Sequence, residues 1–371
     1  MIEFQAVTKQ YPDGTVAVDS LDITVEDGQI TVFVGPSGCG KTTSLRMINR
    51  MIDPTGGSIL LDGKDIRESD PPLLRRGIGY VIQHAGLFPH RTVLDNVATV
   101  PLLTGTSKRD ARKKAAELLE LVGLDAGFAK RYPAQLSGGQ QQRVGVARAL
   151  AADPPVLLMD EPFSAVDPIV RDDLQQQLLR LQSELDKTIV FVTHDIDEAI
   201  KLGDKVAVFR VGGRLAQYDT PSALLAKPAD EFVSSFVGRD RGYRALGFLT
   251  ASGVPVGPLA TVKVGEPRGT TEGWTVAVDA DNKPLGWVSP DAAEEGTVSA
   301  DGLVSGGSLF EVDSTTSGTA GSLRNALDSA LSSPAAVGIA VDKEGAVVGG
   351  VTADKVLAAL AEARRSGEVP T

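Results

Sequence analysis

The sequence predicts an α/β fold for the first two thirds of the chain, followed by a smaller α+β domain. Apolar runs typical of buried strands alternate with helical segments through residues 1–238, whereas the later residues are rich in Gly, Ser, Thr and Ala. At 371 residues, the chain exceeds the size at which one hydrophobic core stays undivided. We therefore expect at least two domains, with a boundary near residue 238.

Composition and charge argue against a membrane-spanning, nucleic-acid-binding or secreted protein. The hydrophobic fraction of 42% is ordinary for a globular chain, and no apolar stretch approaches the roughly 18 residues of a membrane span. The net charge of −11 is shared by both regions, so we expect no nucleic-acid partner and no direct adhesion to anionic lipid. The N-terminal residues lack signal-peptide features, and the single cysteine, Cys39, permits no internal disulfide. These features indicate a cytosolic protein.

The strongest motif is a glycine-rich loop formed by Gly35, Pro36, Ser37, Gly38, Cys39, Gly40, Lys41, Thr42 and Thr43. The apolar run 30–34 precedes it and the helical segment 44–51 follows it, as the pattern G-x-x-x-x-G-K-[ST] requires. The N–H groups of such a loop and the positive end of the helix dipole favour a phosphate. Lys41 can then reach the β- and γ-phosphates of a nucleotide, and the Thr42 hydroxyl can hold Mg²⁺. A glycine-rich turn with a surface lysine is the alternative.

Two positions outside the loop are candidates for the same site. Strands are predicted at 2–7 and 21–25, and Tyr11 in the first turn between them can stack on an adenine base. A half-buried loop tyrosine is equally consistent with the composition. Strands follow at 58–61 and 78–83, and Gln83 at the end of the second can position water or metal. A surface polar residue is the commoner role for a glutamine in a loop.

A second helix start has the same chemistry as the first. Residues 107–122 predict a helix with an apolar stripe and a basic stripe, which we expect to be solvated. Residues 136–140, with the sequence LSGGQ, then open a helix at 141–150, and Ser137 is its expected N-cap. Glycines before a helix again place N–H groups where they can face an anion. The chain therefore has two helix starts suited to phosphate.

Two further predicted strands end in polar residues. Strand 155–161 ends at Asp160, which can hold Mg²⁺ through water, and at Glu161, which can orient or deprotonate an attacking water. A pair of solvated acids is the alternative. After a helix at 169–185, strand 188–195 reaches His194, which is either structural or a γ-phosphate contact. Strands at 205–209 and 214–218 and a short helix from Pro221 complete this region.

Taken together, these motifs resemble the ATP-binding-cassette (ABC) ATPases over residues 1 to about 238. The resemblance implies a P-loop NTPase cassette with a RecA-like core, an antiparallel β subdomain and a helical subdomain at about 86–152. It implies ATP and Mg²⁺ as cofactors. It also identifies 35–43 as the Walker A loop, 136–140 as the signature sequence and 164–167 as the D-loop.

The resemblance implies a role for each candidate residue. Catalytic roles are implied for Lys41, Gln83, Glu161 as the general base and His194 as the switch histidine. Metal contacts are implied for Thr42, Gln83 and Asp160. Nucleotide contacts are implied for Tyr11 as the adenine platform and for Gly35, Ser37, Gly38, Cys39, Gly40, Lys41, Thr42, Thr43, Gln83, Ser137, Gly138, Gly139, Gln140, Asp160, Asp167 and His194.

The family also implies partners. Two copies of such a cassette form a head-to-tail dimer, in which each ATP lies between the Walker A loop of one copy and the signature sequence of the other. In transporters of the family, the cleft near Gln83 receives a helix of a membrane permease, and residues 86–91 offer a suitable apolar patch. We therefore expect a peripheral protein at the cytoplasmic face of the cell membrane, held by transmembrane permease subunits and served indirectly by an extracytoplasmic substrate-binding protein.

The last third of the chain contains an internal repeat. Residues 276–291 align without gaps to 339–354, an offset of 63, with six identical positions. Each copy predicts strand, turn and strand, and helical stripes flank the second copy. The pattern resembles a tandem CBS pair, with copies at about 256–310 and 311–365 within a domain at 256–371, after a linker at 239–255. The segment 256–270 departs from the helix expected there, because it contains three glycines and two prolines.

A cassette followed by a CBS pair resembles the ATPases of importers for glycine betaine, carnitine, choline or proline-type osmoprotectants. We therefore predict the ATP-hydrolysing subunit of such an importer. CBS modules that bind adenosine ligands have an Asp three residues after a Thr, whereas Thr352 is followed two residues on by Asp354. A nucleotide ligand and a purely structural dimerisation role are both open. An importer for another solute, or a cassette protein acting on nucleic acid or ribosomes, is the alternative.

Overall fold

The structure is a computed structural model that describes residues 1–83, 85–164, 166–238, 241–251, 254–269, 273–292, 297–312 and 321–365. The chain folds as two compact units. The first comprises Met1–Leu224 and Pro228–Val237, and the second comprises Leu225–Lys227 and Gly238–Thr371. Arg239 and Asp240, in the segment predicted to be a linker, lie outside the described residues.

Strands and helices alternate up to residue 237. The strands are β1 (Ile2–Gln10), β2 (Val16–Val25), β3 (Ile30–Val34), β4 (Gly56–Leu61), β5 (Lys64–Asp65), β6 (Ile78–Val81), β7 (Val156–Asp160), β8 (Thr188–Thr193), β9 (Lys205–Arg210) and β10 (Arg214–Asp219). The helices are α1 (Lys41–Ile48), α2 (Pro71–Arg76), α3 (Val93–Val97), α4 (Thr99–Leu103), α5 (Lys108–Leu121), α6 (Gly138–Leu150), α7 (Pro168–Leu185), α8 (Ile196–Leu202), α9 (Pro221–Ala226) and α10 (Glu231–Val237).

These strands form two sheets. The larger has the order β10–β9–β3–β8–β7–β6, and all its pairs are parallel except β10 with β9. Every residue of β3, β7 and β8 is buried, because helices and the second sheet cover parallel strands on both faces. The smaller sheet is antiparallel, with the order β2–β1–β4–β5. The predicted α/β class is confirmed.

The core of the first unit lies between the two sheets. Phe33 of β3 contacts Phe4 of the antiparallel sheet and Phe209 of β9, with ring centroids 6.2 and 5.2 Å apart. A separate apolar cluster joins helices α3, α5 and α6, where Ala115, Leu119 and Val144 are buried. The apolar stripe predicted for residues 107–122 therefore faces a helical layer of its own. Of the helices in the described residues, none combines the length and apolar character needed to cross a bilayer.

The second unit contains two small sheets of the same topology. Its strands are β11 (Thr261–Lys263), β12 (Thr275–Val278), β13 (Pro284–Val288), β14 (Leu309–Glu311), β15 (Val337–Val341) and β16 (Val347–Thr352). Its helices are α11 (Arg241–Ala245), α12 (Leu323–Ser332) and α13 (Ala353–Arg365). The sheet orders are β11–β12–β13 and β14–β15–β16, and in each the first pair is parallel and the second antiparallel.

The repeat found in the sequence is present in the strand register. Ala277 pairs with Gly286 in the first hairpin, and Ala340 pairs with Gly349 in the second, 63 residues on. Each hairpin has a register shift directly after that pair. Each also begins its turn with an aspartate whose carboxylate accepts two backbone N–H bonds, Asp279 in the first and Asp342 in the second. The two hairpins are therefore copies of one backbone geometry.

The hairpins share one core. Trp287 of the first sheet is fully buried in a cluster with Ile339 and Val347 of the second. Val347 N donates to Asn282 O, and Asn282 Nδ2 donates to Val347 O, both at 2.9 Å. Each copy therefore covers apolar surface that the other exposes.

The second unit differs from the prediction in two places. In the described part of the first copy, β11 stands where the leading helix of a CBS copy would lie, because the glycines and prolines of 256–270 disfavour a helix. The predicted linker at 239–255 is also part of this unit. Its described residues contain α11 and a 3₁₀ turn, and Leu246, Ala251 and Val254 are buried against Phe310 and α12. The apolar residues of this segment were overlooked as core residues.

Candidate functional site

The glycine-rich loop runs from the end of β3 to the start of α1. A Cβ on Gly35 would lie 2.4 Å from Phe209 O, and a Cβ on Gly40 would lie 2.2 Å from Ala17 O. Both glycines also have a positive φ, 154° and 95°. Only glycine therefore allows the loop to pack this closely at these two positions, and the loop leads directly into the N-terminus of α1, the positive end of its dipole.

Lys41 lies inside this loop. The residue is 5% exposed, and its Nζ donates to Gly35 O at 2.7 Å and to Pro36 O at 3.0 Å. It also lies 3.6 Å from Cys39 Sγ, whose pKa is raised by burial and lowered in part by the Lys41 charge. The ammonium is thus held by neutral carbonyl groups, which phosphate oxygens can replace with a stronger, charge-assisted contact.

Thr42 and Asp160 meet at the edge of the parallel sheet. Thr42 Oγ1, at the start of α1, donates to Asp160 Oδ1 at 2.9 Å. Asp160 is the last residue of β7 and is 5% exposed. A hydroxyl and a carboxylate beside a phosphate loop are the hard oxygen donors that suit Mg²⁺ bound together with nucleotide phosphates. Among the described residues, no group of three or more His, Cys, Asp or Glu side chains is arranged to hold a metal ion.

Two neighbours of Asp160 were not identified from the sequence. Tyr80 Oη donates to Asp160 Oδ2 at 3.3 Å, and Arg46 Nη2 lies 3.5 Å from the same oxygen. Burial raises the pKa of the Tyr80 phenol, so Tyr80 stays a donor at neutral pH. The bond between Arg46 and Tyr80 is the largest of the contacts that raise the pKa of the Arg46 guanidinium. No local pattern marks these residues, because β6, β7 and α1 bring them together only in the folded chain.

Glu161 and His194 lie at the ends of the neighbouring strands β7 and β8. His194 Nδ1 is 3.0 Å from Glu161 Oε2. Glu161 has φ 45°, a conformation uncommon for a residue with a long side chain, and its N–H donates to Val192 O at 3.0 Å. This bond to β8 holds the backbone of Glu161 in place. The carboxylate and the imidazole therefore form one pair beside the phosphate loop.

Gln83 is linked to Glu161 by two hydrogen bonds, with Ser164 between them. Its Nε2 donates to Ser164 Oγ at 3.3 Å, and Ser164 Oγ donates to Glu161 O at 3.0 Å. Gln83 is exposed, so its amide can move relative to Glu161. His84, the next residue, lies outside the described residues. The structure thus brings Gln83, Glu161 and His194 to one edge of the sheet, close to Asp160.

The signature sequence lies at a different helix start. Ser137 Oγ accepts from Gln140 N at 3.3 Å, and Gln140 Oε1 accepts from Ser137 N at 3.0 Å, so the predicted N-cap is a reciprocal capping box. Gly139 is buried, and a Cβ there would lie 2.8 Å from Val170 Cγ1 of α7. The side-chain hydrogen bonds described for Ser137 and Gln140 join them to each other and not to the phosphate loop. Gly138 is the first residue of α6.

Two of the remaining predicted contacts are exposed. Tyr11 is 36% exposed in the turn between β1 and β2, and Lys9 Nζ lies 5.5 Å from its ring centroid. Asp167, in the predicted D-loop, is exposed just before α7, and Ala165 of that loop lies outside the described residues. Ser37, Gly38 and Thr43 lie in the glycine-rich loop and the first turn of α1.

A groove opens beside this site. It encloses about 220 Å³ and is lined by residues that include Arg75, Arg76, Tyr80, Val100 and Arg148. Arg148 donates to Ala85 O at 2.6 Å and to Gly86 O at 2.7 Å, and burial lowers the pKa of its guanidinium. The chain after Gln83 is therefore fixed to α6 by a cation that binds carbonyl oxygens.

The segment predicted as a docking patch, residues 86–91, begins at Gly86. Phe88 is 40% exposed, and Asn96 of α3 holds it by accepting from Phe88 N at 2.7 Å and donating to Phe88 O at 3.1 Å. The Arg91 guanidinium lies 5.1 Å from the Phe88 ring centroid. An exposed ring on a rigid backbone is suited to contact with a partner protein.

Comparisons with known proteins identify the family of this chain. A family model described as "ABC transporter" matches residues 18–164. The osmoprotectant import ATP-binding protein OsmV of Salmonella typhimurium is 49% identical over 302 residues, which cover 78% of this chain and 79% of that protein. The glycine betaine/carnitine transport ATP-binding protein GbuA of Listeria monocytogenes is 40% identical over 357 residues, which cover 93% of this chain and 88% of that protein.

A solved structure extends the comparison to the fold. The dimeric structure of a post-hydrolysis state of the ATP-binding cassette MJ0796, bound to ADP and Pi, aligns with a TM-score of 0.55 and 35% identity. The alignment covers 60% of this chain and 99% of that one. The similarity to a solved cassette thus accounts for a part of the chain about as long as the first unit.

Proposed function

Because this chain belongs to the family of ATP-binding proteins of ABC transporters, we propose that it is the ATP-hydrolysing subunit of an osmoprotectant importer. The solute class is of the glycine betaine, carnitine, choline or proline type. The relatives named for import of osmoprotectants and for transport of glycine betaine and carnitine support this choice, since GbuA aligns over 93% of the chain. The observation that carries the hydrolytic activity is the 3.0 Å contact between Glu161 and His194 at the edge of the sheet that also holds Lys41 and Asp160.

The phosphate loop binds the nucleotide. Lys41 and backbone N–H groups of the loop 35–43 neutralise the β- and γ-phosphates, and the Tyr11 ring stacks on the adenine. Thr42, Asp160 and Gln83 are the residues that would hold Mg²⁺, Thr42 directly and Asp160 through water. When bound, this ion neutralises charge that develops on the phosphate oxygens.

Glu161 acts as the general base. Its carboxylate accepts a proton from the attacking water while the fixed backbone keeps it near the γ-phosphate. His194 orients this carboxylate and contacts the γ-phosphate, and Gln83 senses the same group from the side of Ser164. These roles agree with the positions of the three side chains at one edge of the sheet.

A second copy of the chain completes the site. Ser137, Gly138, Gly139 and Gln140 act on the nucleotide of the partner copy, together with Asp167 of the D-loop. Two features support this assignment: the capping box at Ser137 has no described side-chain bond to the phosphate loop, and the similar cassette MJ0796 is dimeric in its ADP-bound structure. Closure of the dimer excludes water and hydrolysis reopens it.

The motion of the dimer drives a membrane permease. A helix of the permease docks in the groove lined by Arg75, Arg148 and Val100, next to the exposed Phe88. This contact holds the protein at the cytoplasmic face of the membrane, and an extracytoplasmic binding protein supplies the solute. The acidic net charge agrees with attachment through protein and not through lipid.

The second unit regulates or clamps the assembly. The matching registers of its two hairpins support a tandem CBS-like module, with a nucleotide ligand as one role and dimerisation as the other. Calorimetry of the full chain with AMP and with a cyclic dinucleotide separates the two, using a chain that ends at Val237 as the control. Binding that is lost on truncation assigns a ligand, whereas its absence from both chains assigns a clamp.

Phosphate release by the purified chain tests the hydrolytic function. We expect hydrolysis that needs Mg²⁺, and Glu161→Gln should lower kcat by about 10²-fold or more while ATP still binds and traps dimers on gel filtration. Rapid turnover by this variant would exclude Glu161 as the base. For the solute, ATP hydrolysis by the chain reconstituted with its permease and binding protein should rise with glycine betaine and not with maltose. Stimulation by an unrelated solute alone would contradict the osmoprotectant assignment.

A further inference from the structure

A small polar cavity lies directly behind the Glu161–His194 pair. It encloses about 40 Å³, and its lining includes Glu161, His194, Arg171 and Glu198. Glu198 lies on α8 and has no part in the mechanism above, although it faces the same enclosure as the catalytic pair. A carboxylate that is only 7% exposed is uncommon unless its oxygens are bound by protein donors.

Both oxygens of Glu198 are bound. Thr193 Oγ1 donates to Oε2 at 2.6 Å, and Gln175 Nε2 donates to Oε1 at 3.2 Å. Thr193 is the last residue of β8 and directly precedes His194, and its hydroxyl also accepts from Asp195 N at 3.0 Å. Glu198 therefore holds the residues on both sides of His194, directly through Thr193 and indirectly through Asp195.

The other partner of Glu198 leads to the D-loop. Gln175 lies on α7, one turn after Arg171, whose Nη2 donates to Val166 O at 3.1 Å. The Nε of Arg171 is buried and, among the described residues, has no hydrogen-bond partner. Helix α7 thus carries one contact to the D-loop, through Arg171, and one to Glu198, through Gln175. Because these two residues are one turn apart on the same helix, a displacement of the D-loop also displaces the contact to Glu198.

The surroundings of Glu198 shift the pKa of its carboxyl group in opposite directions, and the net effect is a raised pKa. Burial raises its pKa, the bond from Thr193 lowers it, and the charge of Asp195 raises it again. The Arg171 charge lowers it in turn. An amide in place of the carboxylate keeps the shape, but its N–H₂ group replaces one of the two acceptor oxygens and cannot accept from the donor that faces it.

We propose that Glu198 is a positioning residue of the hydrolysis site. It fixes the position of His194 relative to the D-loop through Thr193 and Gln175. The proposal rests on the hydrolytic function of Glu161 and His194 proposed above. Loss of the Glu198 bonds leaves the phosphate loop intact but misplaces His194 relative to Glu161. ATP therefore binds normally and is hydrolysed slowly.

The test compares Glu198→Gln and Thr193→Val in the full chain. Each should lower kcat by about tenfold to a hundredfold, as a misplaced catalytic group does, with the Kd for ATP within about twofold of the parent. The double variant should lose no more than the worse single variant, because both changes break one interaction. Losses that multiply, or an unchanged kcat in both single variants, would overturn the proposal.

A matched control separates positioning from packing. Ile200→Val removes one methylene from a buried side chain on the same helix and leaves the bonds of Glu198 in place. It should lower thermal stability slightly with kcat unchanged. A drop in kcat for this variant as large as that for Glu198→Gln would assign a packing role to α8 and contradict the proposal.

Two further outcomes are distinguishable. If the parent chain hydrolyses no ATP, the proposed function itself is wrong. If the parent and the Glu198 and Thr193 variants are all fully active, only the positioning role is wrong. If Glu198→Gln does not fold, Thr193→Val and Gln175→Leu carry the test, because each removes one donor and leaves the carboxylate in place. Full kcat in both of these variants would overturn the proposal.

Discussion

His194 Nδ1 lies 3.0 Å from Glu161 Oε2, across the ends of two adjacent parallel strands. The two residues differ in exposure, since 58% of the His194 side chain but only 22% of the Glu161 side chain is accessible. The carboxylate is thus largely enclosed by protein, whereas more than half of the imidazole is accessible to solvent. In the function proposed above, this contact would let a γ-phosphate that binds at His194 act on the base through the histidine.

His194→Ala should lower ATP hydrolysis by about 10²-fold, because the general base loses the group that orients it. Binding of ATP should stay within about twofold, since the phosphate loop is unchanged. Phosphate release at saturating ATP and fluorescence titration with a labelled nucleotide measure the two effects. Lys64→Ala, an exposed charge on β5, serves as the control and should change neither. Full kcat in the alanine variant would remove His194 from the site.

Thr42→Val should raise the Mg²⁺ concentration needed for half-maximal nucleotide binding by about tenfold, because the isosteric methyl group replaces an oxygen donor. The same change frees Asp160 Oδ1 from its 2.9 Å bond. Thr42→Ser keeps the hydroxyl and should stay within about twofold of the parent. Mg²⁺ titrations at fixed labelled nucleotide report this without turnover. Equal behaviour of the two variants would exclude a metal role for the hydroxyl.

The sequence predicts the strands and a set of candidate site residues, for physical reasons that differ by residue. Strands such as β3 and β8 are buried on both faces, so their continuous apolar runs identify them without help from the fold. Lys41 and Thr42 are set by a local loop, so their spacing is sufficient. Their distances to Asp160 and the distance from Glu161 to His194 depend on strand order, which no local pattern specifies.

The residues that were missed are those whose role is purely tertiary. Tyr80 and Arg46 reach Asp160 from a strand and a helix that are far apart in sequence, and each alone is typical of a surface position. Glu161 has φ 45°, which no feature of its neighbours predicts. The linker prediction at 239–255 was wrong for its described residues, because Leu246 and Val254 complete a core whose other half is about 60 residues later in the chain.

Asp95→Asn should destabilise the helical layer of the first unit by about 0.5–1 kcal/mol at pH 7, the range for a partly exposed ion pair screened by water. Arg112 binds this carboxylate through two nitrogens, at 2.7 and 2.9 Å to Oδ1. Burial raises the pKa of Asp95, but the bonds from Arg112 and Thr92 outweigh it and lower the pKa below its usual value.

The pH dependence of this pair has a definite sign. The folded pKa of Asp95 lies below the unfolded value of about 3.9, so the pair stabilises the fold at pH values above about 3.9, and this stabilisation is lost as pH falls through the folded pKa. Urea unfolding of the parent and of Asp95→Asn should differ by a constant amount from pH 7 to 5 and converge below pH 4. A gap that widens on acidification would contradict the lowered pKa.

Gly349→Ala should destabilise the second unit by about 1–3 kcal/mol, because a new side chain there would overlap fixed backbone. Its Cβ would lie 2.5 Å from Gly257 O and from Val256 Cγ1, and its φ is +156°. Gly302→Ala is the matched control in the same unit, since its Cβ would meet nothing within 4 Å. Calorimetry of both variants measures the unfolding of this unit. Equal melting temperatures would show that the strand can yield at Gly349.

The two hairpins of the second unit keep one register, one bulge and one turn aspartate at an interval of 63 residues, although only six of the aligned positions are identical. Backbone hydrogen bonds depend on register and not on side-chain identity, so the two hairpins can share one geometry while most of their side chains differ. An insertion or deletion of one residue inside either hairpin would turn every facing side chain to the opposite side of its sheet. We therefore expect changes of length to be tolerated better between the hairpins than within them.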